Sequence, residues 1–405
     1  MMPKLQELLL DENHLNGTIP PSICNMQKLR ILSLRSNQFS GELPHAWNME
    51  SNMVFLDVGQ NNLSGKIPTS LGVLRSLEIL KLNDNNFGGE IPDALQNCSS
   101  LRSIDLGDNK LFGKIPLWIG GSNVSKLSRL RLRSNYFSGC ISQQLCNLQG
   151  LHILDLSHNS LSGTIPMCLD NLTSLVNDYS YEDYYNKYEQ ATLTLKGEEL
   201  VYNTTLYLVK SIDLSSNNLK GEIPEEISSL IMLGTLNLSK NQLIGKIPSK
   251  VGNLRWLETL DLSHNHLSGQ IPQSLSSLTS LSHLDLSYNN LSGRIPTGNQ
   301  LQTLNFSSIY VGNQWLCGVP LSTQCPEDDP FIAKDANEEN EDGNDKLWLY
   351  VSVVLGFIVD FWGVCGTLIL KTSWRYAYFQ FFEDIKDKVA LAIALEVVRF
   401  KMFLF

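Results

Sequence analysis

Charge, aromatic residues and catalytic patterns are all thin in this chain. Only 18% of its 405 residues are charged and 9% aromatic, and the formal net charge is −10 with no strongly basic block. Such a chain lacks the electrostatic footprint that nucleic acid requires. The seven His are scattered, and no Ser/His/Asp order, carboxylate pair in a defined pocket or phosphate-gripping glycine loop can be picked out, so no catalytic or cofactor site is expected. The eight Cys show neither paired C-x-x-C spacing nor a His/Cys cluster, which speaks against a structural metal. The Gly-rich loop, the strand lysine and the H-R-D and D-F-G signatures of a protein kinase are missing as well. No basic leader followed by an apolar run opens the chain.

What is present is a repeat. An Asn recurs at 13, 37, 61, 85, 109, 135, 159, 217, 241, 265 and 289, in steps of 24 residues except one of 26 and one of 58. A Gly follows each Asn by four positions. Ile-Pro follows the Gly except in two units, Leu43-Pro44 and Ile141-Ser142. A fixed period with L-x-x-L-x-L-x-x-N marks a solenoid of leucine-rich repeats. Leu281, Leu284, Leu286 and Leu291 of one unit cannot be buried by a single coil, and stacking joins such sets into one core. The Asn amide is placed to satisfy backbone groups that no ladder reaches, and the Gly permits a left-handed turn.

Alternate strand positions face the inner side of such a coil. Coil six places Arg129, Arg131 and Arg133 there, with Lys81, Asp105 and Asp155 on its neighbours. Two readings stand: contact with an anionic ligand or glycan, or a solvated charged surface. In the last coils Asp213, Asn237, Asp261 and Asp285 form one polar column, either a partner surface or caps on loop backbone. Cys98 occupies a column otherwise filled by Leu74, Leu148 and Leu254, which predicts a buried thiol. Cys146 and Cys168, 22 residues apart in adjacent coils, read either as a bridge across one stacking step or as two separate thiols. Cys24, Cys140 and Cys365 are left unpaired. Nine N-x-S/T sequons stand at Asn16, Asn62, Asn97, Asn123, Asn171, Asn203, Asn237, Asn290 and Asn305. All precede the apolar run described below, as expected of a secreted region. Residues 176–208 carry no repeat but are rich in Tyr and acids, and Tyr179, Tyr181, Tyr184, Tyr185 and Tyr188 read either as contact residues of the kind favoured in binding surfaces or as packing of the insertion onto the solenoid.

The L-x-G-x-I-P form of the repeat resembles the plant-specific leucine-rich repeats of receptor-like kinases, receptor-like proteins and polygalacturonase inhibitors. The resemblance implies an α/β solenoid, a horseshoe of short parallel strands with an irregular or 3-10 convex side, and a single transmembrane α-helix. It divides the chain into a first repeat block over 1–175, an island over 176–208, a second block over 209–298 and a C-terminal cap over 299–326. By the same resemblance the cap is closed by a Cys317–Cys325 disulfide. The family's paired-Cys N-terminal cap is not seen, and the expectation is a chain truncated at its N-terminus.

After the cap, residues 327–346 are acidic and poor in apolar side chains, as in a flexible linker. Residues 347–370 are apolar, and 24 residues span about 36 Å as a helix, enough to cross a bilayer. Acids precede this run while Lys371 and Arg375 follow it, so the C-terminus is expected in the cytoplasm. Asp360 interrupts the run. It shares a helix face with Gly356 and Gly363, where the family shows a small-residue packing surface with Gly in place of the acid. The tail, 371–405, resembles that of kinase-lacking receptor-like proteins of the disease-resistance and elicitor-receptor type. The reading implied is a single-pass type I protein of the plasma membrane with extracellular repeats and no enzyme activity. It would bind a pathogen- or peptide-derived ligand (peptide, protein or glycan) and signal in defence through coreceptor and adaptor receptor kinases. The alternatives are a developmental coreceptor, a relative of the secreted hydrolase inhibitors and a non-signalling decoy.

Overall fold

The computed structural model describes residues 4–177, 188–195 and 198–325. The chain divides into two units, residues 1–329 and 330–405, and only the first contains described residues. The apolar run 347–370 with Gly356, Asp360 and Gly363, the acidic segment 327–346, residues 371–405, and Tyr179, Tyr181, Tyr184 and Tyr185 all lie outside them. Among the described residues no helix is long and apolar enough to cross a membrane.

Each 24-residue unit makes one coil. Its L-x-L core gives a three-residue strand, from Glu7–Leu9 through Ile79–Lys81 and Arg129–Arg131 to His283–Asp285, and these stack in chain order into an 11-stranded parallel sheet. The register follows the period: Glu7 pairs with Ile31, and Ile31 with Phe55. Across the 58-residue step Ile153 pairs directly with Ser211, so the inner sheet runs on as if the insertion were absent. The two extra residues of the 26-residue step fall at Gly120 and Gly121. Gly120 has φ +96°, and a Cβ there would lie 2.1 Å from the Gln144 carbonyl oxygen.

The leucines lie where the pattern puts them. Leu281, Leu284, Leu286 and Leu291 are buried, and their equivalents join one core running the length of the described solenoid. The Asn closes the inside of each turn. Asn109 donates through Nδ2 to the carbonyls of Leu82, Leu106 and Gly107 at 3.0–3.2 Å, and its Oδ1 accepts the Phe87 N–H at 2.9 Å. The residue before each of these Asn is left-handed, with φ between 50° and 55°, although none of the eleven is glycine. The Gly four residues on has φ between 78° and 91°. Pro of the Ile-Pro pair is extended and leads into a convex 3-10 turn such as Thr69–Val73. In the unit that lacks it, the Ser142 hydroxyl accepts the Gln144 N–H and caps that turn instead.

The period continues past the last of the eleven coils, into the cap. Asn313, 24 residues after Asn289, receives the Leu291 N–H and donates to the Leu286 and Tyr310 carbonyls. The strand Trp315–Cys317 adds to Asn290–Arg294, and Cys317 is bonded to Cys325. Cys146 and Cys168 are also bonded, joining adjacent coils with Cα atoms 5.8 Å apart. Cys98 is buried, its thiol hydrogen-bonded to the Leu71 carbonyl at 3.3 Å and its pKa pushed up to about 12 by burial.

Candidate functional site

The inner face of the repeats is where a ligand would be read, and part of it is covered by the chain itself. The insertion returns as an antiparallel hairpin, Ala191–Leu195 with Glu198–Tyr202, and residues 188–195 lie across the first block. Apolar side chains mark the path. The Tyr188 ring packs against Phe55 with centroids 6.3 Å apart, in a cluster with Ile31, Val54 and Ile79. Ala191 and Leu193 bury against Ile153 and Leu206.

Polar contacts fix the segment. Glu189 is 3% exposed. Its carboxylate accepts the Ser103 hydroxyl at 2.5 Å and the Arg129 Nε–H at 3.2 Å, and its Oε2 lies 2.6 Å from Arg129 Nη2 as an ion pair. Arg131 donates to the Thr192 carbonyl at 2.7 Å and pairs with Asp105 at 2.5 Å and, more loosely, with Asp155 at 3.7 Å. Lys81 pairs with Asp57 at 3.4 Å and donates to the Gln190 carbonyl. The arginine row is therefore placed differently from either expectation. Arg129 and Arg131 are buried, and Arg133 is half-buried with its Nε 3.6 Å from Asp108. Arg129 and Arg131 hold the chain's own returning segment, because a buried guanidinium needs a carboxylate and hydrogen-bond acceptors. Spacing alone does not single out Glu189, the hub. Its one signal in the sequence is an acidic segment in a chain whose arginine row has no acid of its own at the first strand position.

The polar column resolves as backbone capping. Asp57, Asp105, Asp155, Asp213, Asn237, Asp261 and Asp285 each accept the N–H of the residue two places on. Along the first block their charges alternate with those of Lys81 and Arg131. At the insertion the alternation breaks, and Asp155 sits beside Asp213 in register. Burial, and then the Asp155 charge, push the Asp213 carboxyl up to about 7. Its folded pKa exceeds the ordinary carboxylate value of about 3.9. The stability it confers is complete below that value and is lost as pH rises through about 7. The expected result is that Asp213→Asn loses less thermal stability than the parent between pH 5 and pH 8. The difference should be on the order of a few kcal/mol at the alkaline end. Parallel unfolding curves across that range would refute the account.

Eight of the nine sequons are exposed, whereas Asn237 lies in the inner strand Thr235–Asn237. Its Oδ1 accepts the Ser239 N–H and hydroxyl, and Nδ2 lies 3.5 Å from Asp213. That amide is engaged inside the column and is unlike the other eight.

Matches to leucine-rich-repeat family models fall at residues 4–26, 28–48, 52–74, 76–98, 100–122, 150–172, 208–230 and 232–254, and at 244–291. Together they span more than half of the chain. Receptor-like protein EIX2 of tomato (Solanum lycopersicum) is 46% identical over 96 residues, covering 22% of this chain and 9% of that protein. The chain thus matches less than a tenth of the length of this relative. Among solved structures, the PEPR1–AtPEP1 complex superposes over 78% of this chain and 39% of its own, with TM-score 0.63 and 30% identity. The Arabidopsis receptor kinase HAESA, in complex with the peptide hormone IDA and the co-receptor SERK1, covers 80% and 52%, with TM-score 0.59 and 34% identity.

Proposed function

The chain belongs to the leucine-rich-repeat proteins and resembles the plant receptor-like proteins, and from that premise we propose that it is a ligand-binding receptor subunit of the plant cell surface. The repeats face outward, the run 347–370 crosses the membrane, and the signal leaves through partner receptor kinases. The observation that carries this reading is the segment that leads into the island's hairpin, hooked to the inner face by Glu189 and Arg129. An insertion held this firmly inside a repeat array presents a built surface rather than a loop that merely tolerates length. The exposed sequons add support: none of the eight sits on an inner strand, and the amide of the ninth, Asn237, is engaged by Ser239. The ligand class is a peptide or protein, as in the peptide complexes of the structural relatives. Defence is the favoured setting because the tail resembles that of receptor-like proteins of the disease-resistance and elicitor-receptor type, and EIX2 is itself a receptor-like protein.

The test uses the full chain, tagged at its C-terminus and expressed in plant cells. Surface exposure is read by glycosidase-sensitive mass and by protection of the tag from external protease. Partners are read by mass spectrometry of the immunoprecipitate, before and after exposure to fractionated plant and microbial peptides. The expected result is a glycosylated surface protein that recovers a receptor kinase in greater amount with one active fraction. An unglycosylated intracellular chain would overturn the topology. A surface chain that recovers no kinase under any fraction would overturn the signalling role.

A further inference from the structure

The clamp on residues 188–193 follows a regular alternation. Glu189, Ala191 and Leu193 are buried, while Gln190 and Thr192 between them are half-buried. Side chains two apart lie on one face of an extended chain, and here that face is turned to the repeats. Each of its positions meets a matching group. The Glu189 carboxylate accepts from Ser103 and pairs with Arg129. Ala191 and Leu193 pack with Ile153 and Leu206. Just before them, Tyr188 packs on the apolar group of Ile31, Val54, Phe55 and Ile79. The carbonyls of Gln190 and Thr192 are held by Lys81 and Arg131. Contacts to carbonyls suit any sequence, so selection falls on the side chains. The order selected is an aromatic residue, an acid, and apolar residues two and four places after the acid.

The ladder of the solenoid does not run through this segment. Ile153 pairs directly with Ser211, and residues 191–195 keep their own hairpin partner in 198–202. The hold on 188–193 is therefore a set of side-chain contacts that another chain can take over as a set. We infer that the inner face of the first block is a docking site for an extended peptide segment, that residues 188–193 are its resident occupant, and that a partner chain carrying the same order of side chains displaces them. The acid is the discriminating position, because a neutral side chain there forfeits the ion pair with a buried guanidinium. The inference deepens the ligand-binding reading and rests on it for the origin of the partner. The exchange itself is tested on purified protein with no receptor kinase present, so either can fail without the other.

The experiment uses the full chain purified in detergent. The probe is a labelled peptide, acetyl-Tyr-Glu-Gln-Ala-Thr-Leu-Thr-Leu-amide, which copies residues 188–195, and binding is followed by fluorescence anisotropy. Combining Tyr188→Ala with Glu189→Ala removes the resident's two most selective side chains and none from the repeats. Amide exchange in coils eight to eleven checks that the repeats stay folded. That variant should bind the peptide saturably. The parent should bind it at least about tenfold more weakly, because only the fraction whose segment has lifted can accept it. Peptides with Gln or Ala in place of the Glu should lose at least about tenfold in affinity for the variant. In the parent, excess peptide should raise proteolytic cleavage within 188–205 as the resident leaves. No saturable binding to the variant, equal binding of the Glu and Ala peptides, or equal binding by parent and variant overturns the site. Cleavage of the parent that ignores the Glu peptide, or responds equally to the Ala peptide, overturns the exchange whether or not the variant folds.

Discussion

Asn109→Leu lowers stability by about 2–4 kcal/mol, and Asn13→Leu by less than about 1 kcal/mol, although both remove the same residue from the same repeat position. The difference lies in what each amide holds. Asn109 is buried between coils and serves four backbone groups. Not all of them are orphaned by its loss. Leu82 and Leu106 keep a bond from the ladder amides of Asn85 and Asn135, and Gly107 keeps the Asp84 N–H. The Phe87 N–H loses its Oδ1 acceptor inside the core, and an unmade buried bond costs about 1–3 kcal/mol. Leucine adds a bulky branch where a planar amide fitted. Asn13 is exposed and donates only to Leu10 and Asp11 within its own turn. Water replaces those bonds.

Because coils contact mainly their neighbours, the loss at 109 should first appear locally. Hydrogen exchange at Phe87 and its flanking amides should accelerate more than exchange in the last coils. Thermal scans of the two variants supply the magnitude. Equal destabilisation at 13 and 109 would mean that the amide acts only within its own turn, and the account of the ladder as a tie between coils would fail.

The ladder is legible in the residues alone because it is periodic. Asn289, its Gly and its leucines carry their roles in their spacing, and a 24-residue period leaves one way to bury them. The same rule reaches Asn313, but the residues around it no longer spell a repeat, so the extra coil inside the cap is masked. The clamp is hidden for a different reason. Residues 188–195 touch coils far away in sequence, and no period links Glu189 to Arg129, 60 residues earlier. The inner strands do carry a hint. Ile31, Phe55, Ile79 and Ile153 stand at the first strand position in the first block, where the later coils have Ser211, Thr235, Thr259 and His283. Apolar residues on a face meant for water ask for a cover. The arginines read as exposed because their strand position faces inward to the horseshoe, and facing a concave surface is not the same as facing solvent.

Glu189→Ala is expected to release the returning segment while the repeats stay folded. The mutation leaves Arg129 with its charge in a buried site and with the acceptor of its two short contacts removed. Breaking one side of a buried pair costs about 3–5 kcal/mol. Most of that cost can be escaped locally: if residues 188–195 lift off, Arg129, Arg131 and Lys81 regain water. What then opposes release is the apolar contact of Tyr188, Ala191 and Leu193 with the inner strands, at about 25 cal/mol per Å2 of apolar surface. The readouts are limited proteolysis and amide exchange. Cleavage within 188–205 should rise by at least about tenfold, the equivalent of 1.4 kcal/mol, while exchange at the core leucines of coils eight to eleven stays unchanged. Arg129→Met should suppress much of this in the double variant, since the stranded charge is then gone and only the apolar contact remains to be judged. Glu189→Gln should fall between the parent and Glu189→Ala, as it keeps an acceptor for the Ser103 hydroxyl but not the opposite charge. If Glu189→Ala leaves the segment as protected as in the parent, the apolar contacts alone hold it, and the ion pair is a consequence of docking rather than its cause.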